Sequence, residues 1–348
     1  MYAAVWHGAN DLRLEEREKP EALPGTVVVK VESCAICGSD LRILREGNNR
    51  IQAPRILGHE IAGSIVEVGE GVTSYKVNDR ISTGADIPCG DCEYCNAGLP
   101  NSCAINYAIG YQFDGGFAEY IRLDEKVVRF GPLQKFDAKL DWNKAALAEP
   151  LGCCINGFEQ ALADYKKPRS MVVFGAGPIG LMLIKLAKSI YNIDLVVAVE
   201  PSPIRRNNAI LAGASFAIDP IHEDVVERAL HHSAGKGLDI IFTACPVLET
   251  HKQALEVVAP NGVINLFGGI GKNEPALNIL SNHIHYKQIY VTGSHGSTPA
   301  QHRKALHYIE QNMIVVDDLI SHEYDIKDVI EGFTMAASGN ASKVVIKP

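Results

Sequence analysis

The sequence has few aromatic residues, no cluster of positive charge and no long apolar run. Aromatic residues make up 7% of the 348 positions, and the formal net charge is -8. An acidic chain without a basic tract argues against a nucleic-acid or anionic-membrane surface. Residues 1–20 lack a basic segment followed by an apolar one, and no apolar run reaches transmembrane length. We therefore expect a cytoplasmic protein without nucleic-acid or membrane partners.

The bulk composition is that of a globular protein. Apolar residues make up 47% of the chain and charged residues 21%, which is enough to build an ample core. The length predicts about two domains of ordinary size. No internal repeat and no low-complexity segment interrupts the sequence. Nine cysteines in a chain without a secretion signal indicate metal binding or free thiols rather than disulfides.

The stretch from Met171 to Glu200 has the pattern of a dinucleotide-binding unit. A short apolar run leads into a G-x-G-x-x-G turn, a helical pattern follows, and a second apolar run ends in Glu200. The predicted cofactor-binding turn comprises Gly175, Ala176, Gly177, Pro178, Ile179 and Gly180. Its glycines allow the tight turn, the approach of a pyrophosphate and close helix–strand packing, in that order. The helix N-terminus then offers free N–H groups to the phosphates.

The acidic residue Glu200 argues for NAD as the cofactor. It lies 20 positions beyond Gly180, where a carboxylate can accept hydrogen bonds from ribose hydroxyls. A 2′-phosphate would meet a like charge there, which disfavours NADP. Arg205 and Arg206 favour NADP instead, because they could pair with its 2′-phosphate. We rank the carboxylate above the arginines. A purely structural glycine turn is the alternative, and the flanking strands and the acid argue against it.

The chain falls into two domains, one of which is discontinuous. Residues 1–155 read mainly as short strands such as Val27–Val31, punctuated by Gly, Pro and Asn. Residues 156–295 alternate strands and helices, which predicts a doubly wound parallel sheet. A final strand, Lys343–Ile346, should pair back onto the first domain, so residues 296–348 are expected to belong to it. The predicted fold class is α/β.

One loop carries a cysteine cluster with the spacing C-x2-C-x2-C-x7-C. Its members are Cys89, Cys92, Cys95 and Cys103. Four thiolates on a short loop suit a tetrahedral structural zinc whose positions are all closed to substrate. Disulfides do not fit the expected compartment, and an iron–sulfur cluster does not fit the spacing. A nucleic-acid-binding zinc knuckle is a further alternative, against which the acidic chain and the dinucleotide pattern argue.

A second candidate metal site is scattered along the chain. Its residues lie in the segments Cys37-Gly38-Ser39-Asp40, Gly58-His59-Glu60 and Glu149-Pro150. A cysteine, a histidine and a carboxylate give three ligands and leave one position open, as a catalytic zinc requires. Each segment alone is weak, since a single cysteine or histidine usually only packs in a core. Together, in a chain that also carries a four-cysteine loop, the three segments are stronger evidence for a catalytic zinc site.

With these motifs in this order, the chain resembles the zinc-dependent medium-chain dehydrogenase family over essentially its whole length. The resemblance implies a GroES-like, mainly β catalytic domain, a Rossmann domain and hydride transfer from an alcohol to NAD. Glu149 stands where simple alcohol dehydrogenases of the family place a cysteine. The chain is therefore similar to the branch that contains sorbitol (L-iditol) and threonine dehydrogenases.

The resemblance also implies roles for individual residues. Cys37 and His59 would bind the catalytic zinc with one carboxylate, since a second would make the site anionic. Sorbitol dehydrogenases suggest that Glu60 ligates and that Glu149 holds the metal water, and exchange between the two stays open. Asp40 would orient His59.

The proton route departs from the family pattern. By resemblance, Ser39 passes the substrate proton outward, and many members carry a histidine three residues later. This chain has Arg42 there, and arginine cannot act as a base. Glu149 with a water chain is the expected substitute.

Further features complete the expectations for the second domain. The resemblance places two loops against the nicotinamide, Phe267-Gly268-Gly269 and Ser294-His295. The alternating run Ile284–Thr292 is expected to form the outer strand of the sheet. Family members often join such strands, so we expect a homodimer or homotetramer.

The expected reaction is oxidation of a secondary alcohol of a polyol, sugar alcohol or cyclitol, a small-molecule substrate, with NAD and two zinc ions per chain. A threonine dehydrogenase and a simple secondary alcohol dehydrogenase are alternatives. A catalytically silent zinc and NAD sensor is a remote one, because Cys37, Ser39 and His59 are all present.

Overall fold

The chain folds as two compact units, and it leaves the first unit and later returns to it. This computed structural model describes residues 1–163, 167–271, 274–279 and 281–348. The first unit comprises Met1–Cys153 and Gly296–Pro348, and the second comprises Cys154–His295.

The bounds of the strands and helices follow in chain order. The strands are β1 Tyr2–Gly8, β2 Asp11–Glu16, β3 Val27–Ala35, β4 Arg55–Ile56, β5 Glu60–Val68, β6 Arg80–Thr83, β7 Asp86–Ile87, β8 Tyr107–Ala108, β9 Tyr120–Leu123, β10 Gln134–Lys135, β11 Ser170–Phe174, β12 Leu195–Val199, β13 Phe216–Ile218, β14 Leu238–Thr243, β15 Val258–Leu266, β16 Tyr290–Gly293, β17 Ile320–Asp325 and β18 Lys343–Lys347. The α-helices are α1 Gly38–Glu46, α2 Glu93–Asn96, α3 Glu125–Phe130, α4 Trp142–Ala146, α5 Ala148–Leu162, α6 Pro178–Ser189, α7 Pro203–Leu211, α8 Val225–His232, α9 Leu248–Val257, α10 Ser281–Lys287, α11 Pro299–Glu310 and α12 Val329–Ala337. Short 3-10 helices cover Pro100–Ser102, Asp317–Leu319 and Ile326–Asp328.

The first unit is built around the long strand β3. The main sheet has the order β10-β6-β5-β3-β18-β17, and β9 pairs with β3 as well. β3 is rich in valine and largely buried, as suits a central strand. Its last residue, Ala35, lies opposite Glu60 of β5 on one side and Val345 of β18 on the other. The end of β3 therefore brings the start of β5 close to the C-terminal strand.

The second unit is a parallel sheet with helical crossovers. Its strand order is β13-β12-β11-β14-β15-β16, and all of its pairs are parallel. The order reverses between β11 and β14, and ligands of such sheets bind where the strand order reverses, at the carboxyl ends of the strands. Gly175 follows β11 at this point. The predicted α/β class, a mainly β unit and a parallel sheet, is confirmed.

The outer strand of the second unit is shorter than the sequence predicted. The run Ile284–Thr292 divides into the end of α10 and the strand β16, with Gln288 between them at φ 53°. The left-handed conformation of Gln288 ends the helix and turns Ile289 into the core, where it is 6% exposed. The alternating pattern was wrong here because helix and strand meet within it. Among the residues described, no helix has the length and apolar character needed to cross a membrane.

Candidate functional site

The four-cysteine loop forms a compact sulfur cluster in the first unit. The Sγ atoms of Cys92 and Cys95 are 3.5 Å apart, and that of Cys92 lies 3.9 Å from that of Cys103. A zinc–sulfur tetrahedron with bonds of about 2.3 Å has edges of about 3.8 Å. Backbone N–H groups of Ala104 and Cys95 lower the pKa of Cys92 to about 6. The cluster therefore offers the geometry and the thiolate character that a structural zinc requires.

The first turn of α1 organises the second candidate site. The Asp40 carboxylate accepts the backbone N–H of Cys37 at 3.0 Å, and its other oxygen lies 3.4 Å from Nδ1 of His59. Oγ of Ser39 lies 3.3 Å from Nε2 of the same ring. Although burial opposes it, the Asp40 carboxylate raises the pKa of His59. One helical turn thus arranges a thiol, a hydroxyl and a carboxylate around one imidazole.

A buried ion pair holds Glu60 beside this imidazole. Nζ of Lys343 lies 2.5 Å from Oε1 of Glu60 and 3.2 Å from the carbonyl oxygen of Ile36. Both charged side chains are almost fully enclosed, with exposures of 6% and 0%. Oε2 of Glu60 is buried and has no hydrogen-bond partner among the described atoms. An acceptor in this state is available to a cation.

Glu149 lies at the start of α5 and is 4% exposed. Burial raises the pKa of its carboxyl to about 7, and the carboxylates of Glu60 and Asp86 act in the same direction. Space for the side chain exists because residue 84 is glycine, where a Cβ would lie 2.9 Å from Cγ of Glu149. Sγ of Cys153 lies 3.6 Å from Oε1 of Glu149.

The four predicted catalytic ligands share one region but not one coordination sphere. In the described part of the chain, the four-cysteine set is the group whose ligand atoms all lie within 4.8 Å, and Cys37, His59, Glu60 and Glu149 do not form such a group. Glu60 faces Lys343 instead. The donor chemistry still fits zinc, because thiolate, imidazole and carboxylate are its usual ligands.

Two residues of this site escaped the sequence analysis. Lys343 was noted only as the start of a strand, since a single lysine carries no signal of burial. Asp86 is 8% exposed, and its carboxylate accepts the backbone N–H of Ser297 at 3.2 Å. A Cβ at Gly296 would lie 1.9 Å from Oδ2 of Asp86, so this close approach requires glycine.

The glycine turn of the second unit is shaped to receive a phosphate. Gly175 has φ 95°, a conformation that favours glycine. A Cβ at Gly180 would lie 1.9 Å from the carbonyl oxygen of Gly175, so α6 packs directly on the turn. Gly177 precedes Pro178 at the start of α6, and a Cβ there would meet nothing within 4 Å. Open space at a helix N-terminus fits a pyrophosphate.

Glu200 holds this turn in place. Its carboxylate accepts the backbone N–H of Ala176 at 2.8 Å and that of Ser202 at 3.0 Å. These bonds use part of its acceptor capacity and leave lone pairs for ribose hydroxyls. Arg206 donates to the carbonyl oxygens of Glu200 and Pro201 and pairs with Asp219 at 2.9 Å. Arg206 is therefore already engaged, which weakens the case that it binds a 2′-phosphate.

The two predicted nicotinamide loops follow β15 and β16, at the same sheet edge as Gly175. The backbone N–H of Gly268 donates to the carbonyl oxygen of Thr243 at 2.6 Å, and the ring of Phe267 contacts that of Phe242 edge-on. Ser294 donates to Oδ1 of Asn265 at 3.0 Å, and the carbonyl oxygen of His295 accepts the Asn156 amide at 3.2 Å. The remaining predicted residues, Ile179, Arg205 and Gly269, lie at the start of α6, in the first turn of α7 and directly after Gly268.

Comparison with known proteins identifies the class of protein. Residues 23–132 match the alcohol dehydrogenase GroES-like domain, and residues 178–311 match the zinc-binding dehydrogenase domain. Sorbitol dehydrogenase of Halalkalibacterium halodurans is 32% identical over 98% of this chain and 97% of its own length. L-threonine 3-dehydrogenase of Pyrococcus furiosus is 34% identical over 95% of this chain and 94% of its own. A structure from Sinorhizobium meliloti bound to NADP is 30% identical, with a TM-score of 0.91 over 100% of this chain and 99% of that one.

These likenesses define a zinc-binding alcohol dehydrogenase that uses NAD(P). The chain belongs to the zinc-dependent medium-chain dehydrogenase family. It is an oxidoreductase, and its family includes alcohol and polyol dehydrogenases.

Two alanine substitutions in the glycine turn should separate folding from cofactor binding. Gly180→Ala places a methyl group against a backbone oxygen, so we expect a loss of stability of about 1–3 kcal/mol, as in other overpacked sites. Gly177→Ala should unfold like the wild type but bind NADH at least about tenfold more weakly, because its methyl group occupies the phosphate space. Urea denaturation and NADH fluorescence titration measure the two effects. Wild-type NADH affinity in Gly177→Ala would contradict this reading of the turn.

Proposed function

We propose that the protein oxidises a secondary alcohol that has a neighbouring hydroxyl to the ketone, with NAD as the hydride acceptor. Polyols, sugar alcohols and cyclitols are the substrate class. The observation that carries the proposal is Glu149, a buried carboxyl beside Glu60 at a position where simple alcohol dehydrogenases have a thiolate.

A carboxyl group at this position suits a diol. It can accept a hydrogen bond from the second hydroxyl of the substrate, which a thiolate does poorly. When that hydroxyl is absent, a buried acceptor is left unpaired, and such a loss costs about 1–3 kcal/mol. Sites built to bind a hydroxyl therefore reject analogues that lack it.

The residues of the first unit have distinct proposed roles. Cys37, His59 and Glu60 would hold the catalytic zinc, with Glu149 on the water side. Zinc supplies Lewis-acid polarisation of the substrate hydroxyl when it is bound. Asp40 fixes the orientation of His59, and Ser39 accepts the proton of the substrate hydroxyl.

The second unit binds the cofactor in this proposal. The turn around Gly177 receives the pyrophosphate, and Glu200 accepts the ribose hydroxyls. The loops Phe267–Gly269 and Ser294–His295 contact the nicotinamide.

The relatives support the polyol proposal and one alternative to it. The sorbitol dehydrogenase relative acts on a polyol by its name, and the threonine dehydrogenase relative is of similar identity. Threonine is the second candidate, because its hydroxyl neighbours a carbon that bears an amine. Arg42 argues against it, since the usual relay histidine of that enzyme type is missing.

A homo-oligomer is also part of the proposal. Tyr290 and Val291 of β16 are 51% and 40% exposed, and β16 lies at one edge of the described sheet. An exposed strand edge is a template for pairing with a second copy.

Steady-state kinetics on an alcohol panel test the substrate class. Vicinal diols, polyols and cyclitols should exceed ethanol and 2-propanol in kcat/KM by about tenfold or more, from the cost of an unpaired acceptor. Threonine belongs in the panel as the alternative. Glu149→Cys should lower the diol to 2-propanol ratio. A wild-type kcat/KM for 2-propanol equal to that of every diol and polyol would refute the proposal.

Metal analysis tests the two zinc sites. We expect two zinc ions per chain, of which brief chelation removes one together with activity, because only the Cys37 site is open. Cys37→Ser should lose that zinc and keep the fold, whereas Cys92→Ser should destabilise the first unit. Active, folded enzyme with a single zinc would overturn the expectation.

Exchange of Glu200 tests the cofactor preference. Glu200→Gln removes the charge that repels a 2′-phosphate, so the ratio of kcat/KM for NADP to that for NAD should rise at least about tenfold. Glu227→Gln, which changes an acid of α8 in the same unit, should leave the ratio unchanged. A wild type that already prefers NADP would show that the carboxylate does not govern the choice.

A further inference from the structure

A buried asparagine interrupts the apolar strand β15 in the second unit. Asn265 is fully enclosed, and its neighbours along the strand, Ile264 and Leu266, are apolar. Burying an amide group costs free energy unless its donor and its acceptor both find partners. A leucine would fill a similar volume at this position without that requirement. The bonds that Asn265 makes therefore need an explanation other than packing.

The side chain of Asn265 joins two segments that are far apart in the chain. Its Nδ2 donates to the carbonyl oxygen of Gly157 in α5 at 3.0 Å, and its Oδ1 accepts the hydroxyl of Ser294 at 3.0 Å. The reverse orientation of the amide would set two oxygens against each other at Gly157, so the bonding pattern fixes the orientation. Ser294 directly follows β16. Asn265 thus ties the loop after β16 to α5.

The same turn of α5 contacts both proposed nicotinamide loops. The Asn156 amide donates to the carbonyl oxygen of His295 at 3.2 Å. A Cβ at Gly157 would lie 3.0 Å from two ring carbons of Phe267, so that ring packs directly on the helix backbone. Neither Phe267 nor His295 belongs to a strand or a helix. Contacts with α5 and Asn265 therefore help to fix where these loops lie.

We infer that Asn265 is a positioning residue for the nicotinamide half of the cofactor. Its amide holds the loop Ser294–His295 against the turn of α5 on which Phe267 packs, so the two loops form one preorganised surface. A surface whose parts are held in place before binding loses less conformational entropy when its ligand binds. The inference rests on the proposed contact between these loops and the nicotinamide.

The proposed sites for the two halves of the cofactor are held by separate sets of bonds. The turn Gly175–Gly180 is held by Glu200, whose carboxylate accepts the backbone N–H of Ala176 at 2.8 Å. Asn265 makes its bonds to α5 and to the loop after β16 instead. Loss of the Asn265 amide should therefore weaken contacts to the nicotinamide and spare those to the adenosine diphosphate.

Calorimetric titration of the zinc-loaded enzyme with NADH and with ADP-ribose, which lacks the nicotinamide, tests the inference. Asn265→Leu removes both hydrogen bonds at similar volume, so we expect the affinity for NADH to fall about tenfold or more. The affinity for ADP-ribose should not change. Ser294→Ala removes one of the two bonds in a half-buried loop, and it should weaken NADH binding alone by about three- to fivefold. This second variant decides the question if Asn265→Leu does not fold.

Ile264→Val is the matched control, since it deletes one buried methyl group next to Asn265 on the same strand. It should lower the urea midpoint, as such deletions do, and keep the ratio of the two affinities. In Asn265→Leu, an equal fall in both affinities, or no fall in either, would overturn the inference. An unchanged ratio in Ser294→Ala would overturn it as well.

Failure of the inference and failure of the proposed function give different results. A wild type that binds ADP-ribose as tightly as NADH would refute the proposed nicotinamide contact itself. A wild type that oxidises no diol would refute the proposed reaction, whereas the affinities would still decide the role of Asn265.

Discussion

The ion pair between Glu60 and Lys343 is the constraint around which the first unit is arranged. Isolated charges are very costly to bury, and removing one partner of a buried pair leaves the other uncompensated. Glu60 opens β5 and Lys343 opens β18, and both strands flank the end of β3. The Glu60 carboxylate, a proposed zinc ligand, therefore depends on a residue from the last strand. This dependence gives a physical reason for the chain to return to its first unit.

The same pair sets the charge of the region that Glu149 shares. The carboxylates of Glu60 and Asp86 disfavour a charged Glu149, while His59 and Lys343 favour it. The Lys343 ammonium group is therefore one of two groups that oppose the effect of burial and of these carboxylates on Glu149. The balance leaves the pKa of Glu149 raised to about 7, chiefly by burial. A carboxyl group with a pKa near 7 can accept a hydrogen bond from a substrate hydroxyl or donate one to it.

Local patterns explain how much could be predicted from the sequence. The turn from Gly175 to Gly180 and the four-cysteine loop each act within a few residues, so their spacing alone indicates their geometry. The fold class followed from strand and helix periodicity. Two residues were missed because their burial depends on long-range contacts. Nothing near Lys343 or Asp86 in the chain predicts that distant strands bury them. The run Ile284–Thr292 misled because alternation continues through a helix end, where only the conformation of Gln288 separates the elements.

The proposed binding groups and Tyr111 lie on different kinds of local structure. The groups proposed to bind metal and cofactor lie at strand ends and helix starts, where hydrogen-bonded backbone holds them. Tyr111, whose ring lies beside that of His59, sits on a turn, and its place depends on Gln112, Arg50 and Gly110 as a set. Turns tolerate change more readily than strand pairs do. The two relatives at 32% and 34% identity are named for different substrates, sorbitol and L-threonine, although both are dehydrogenases.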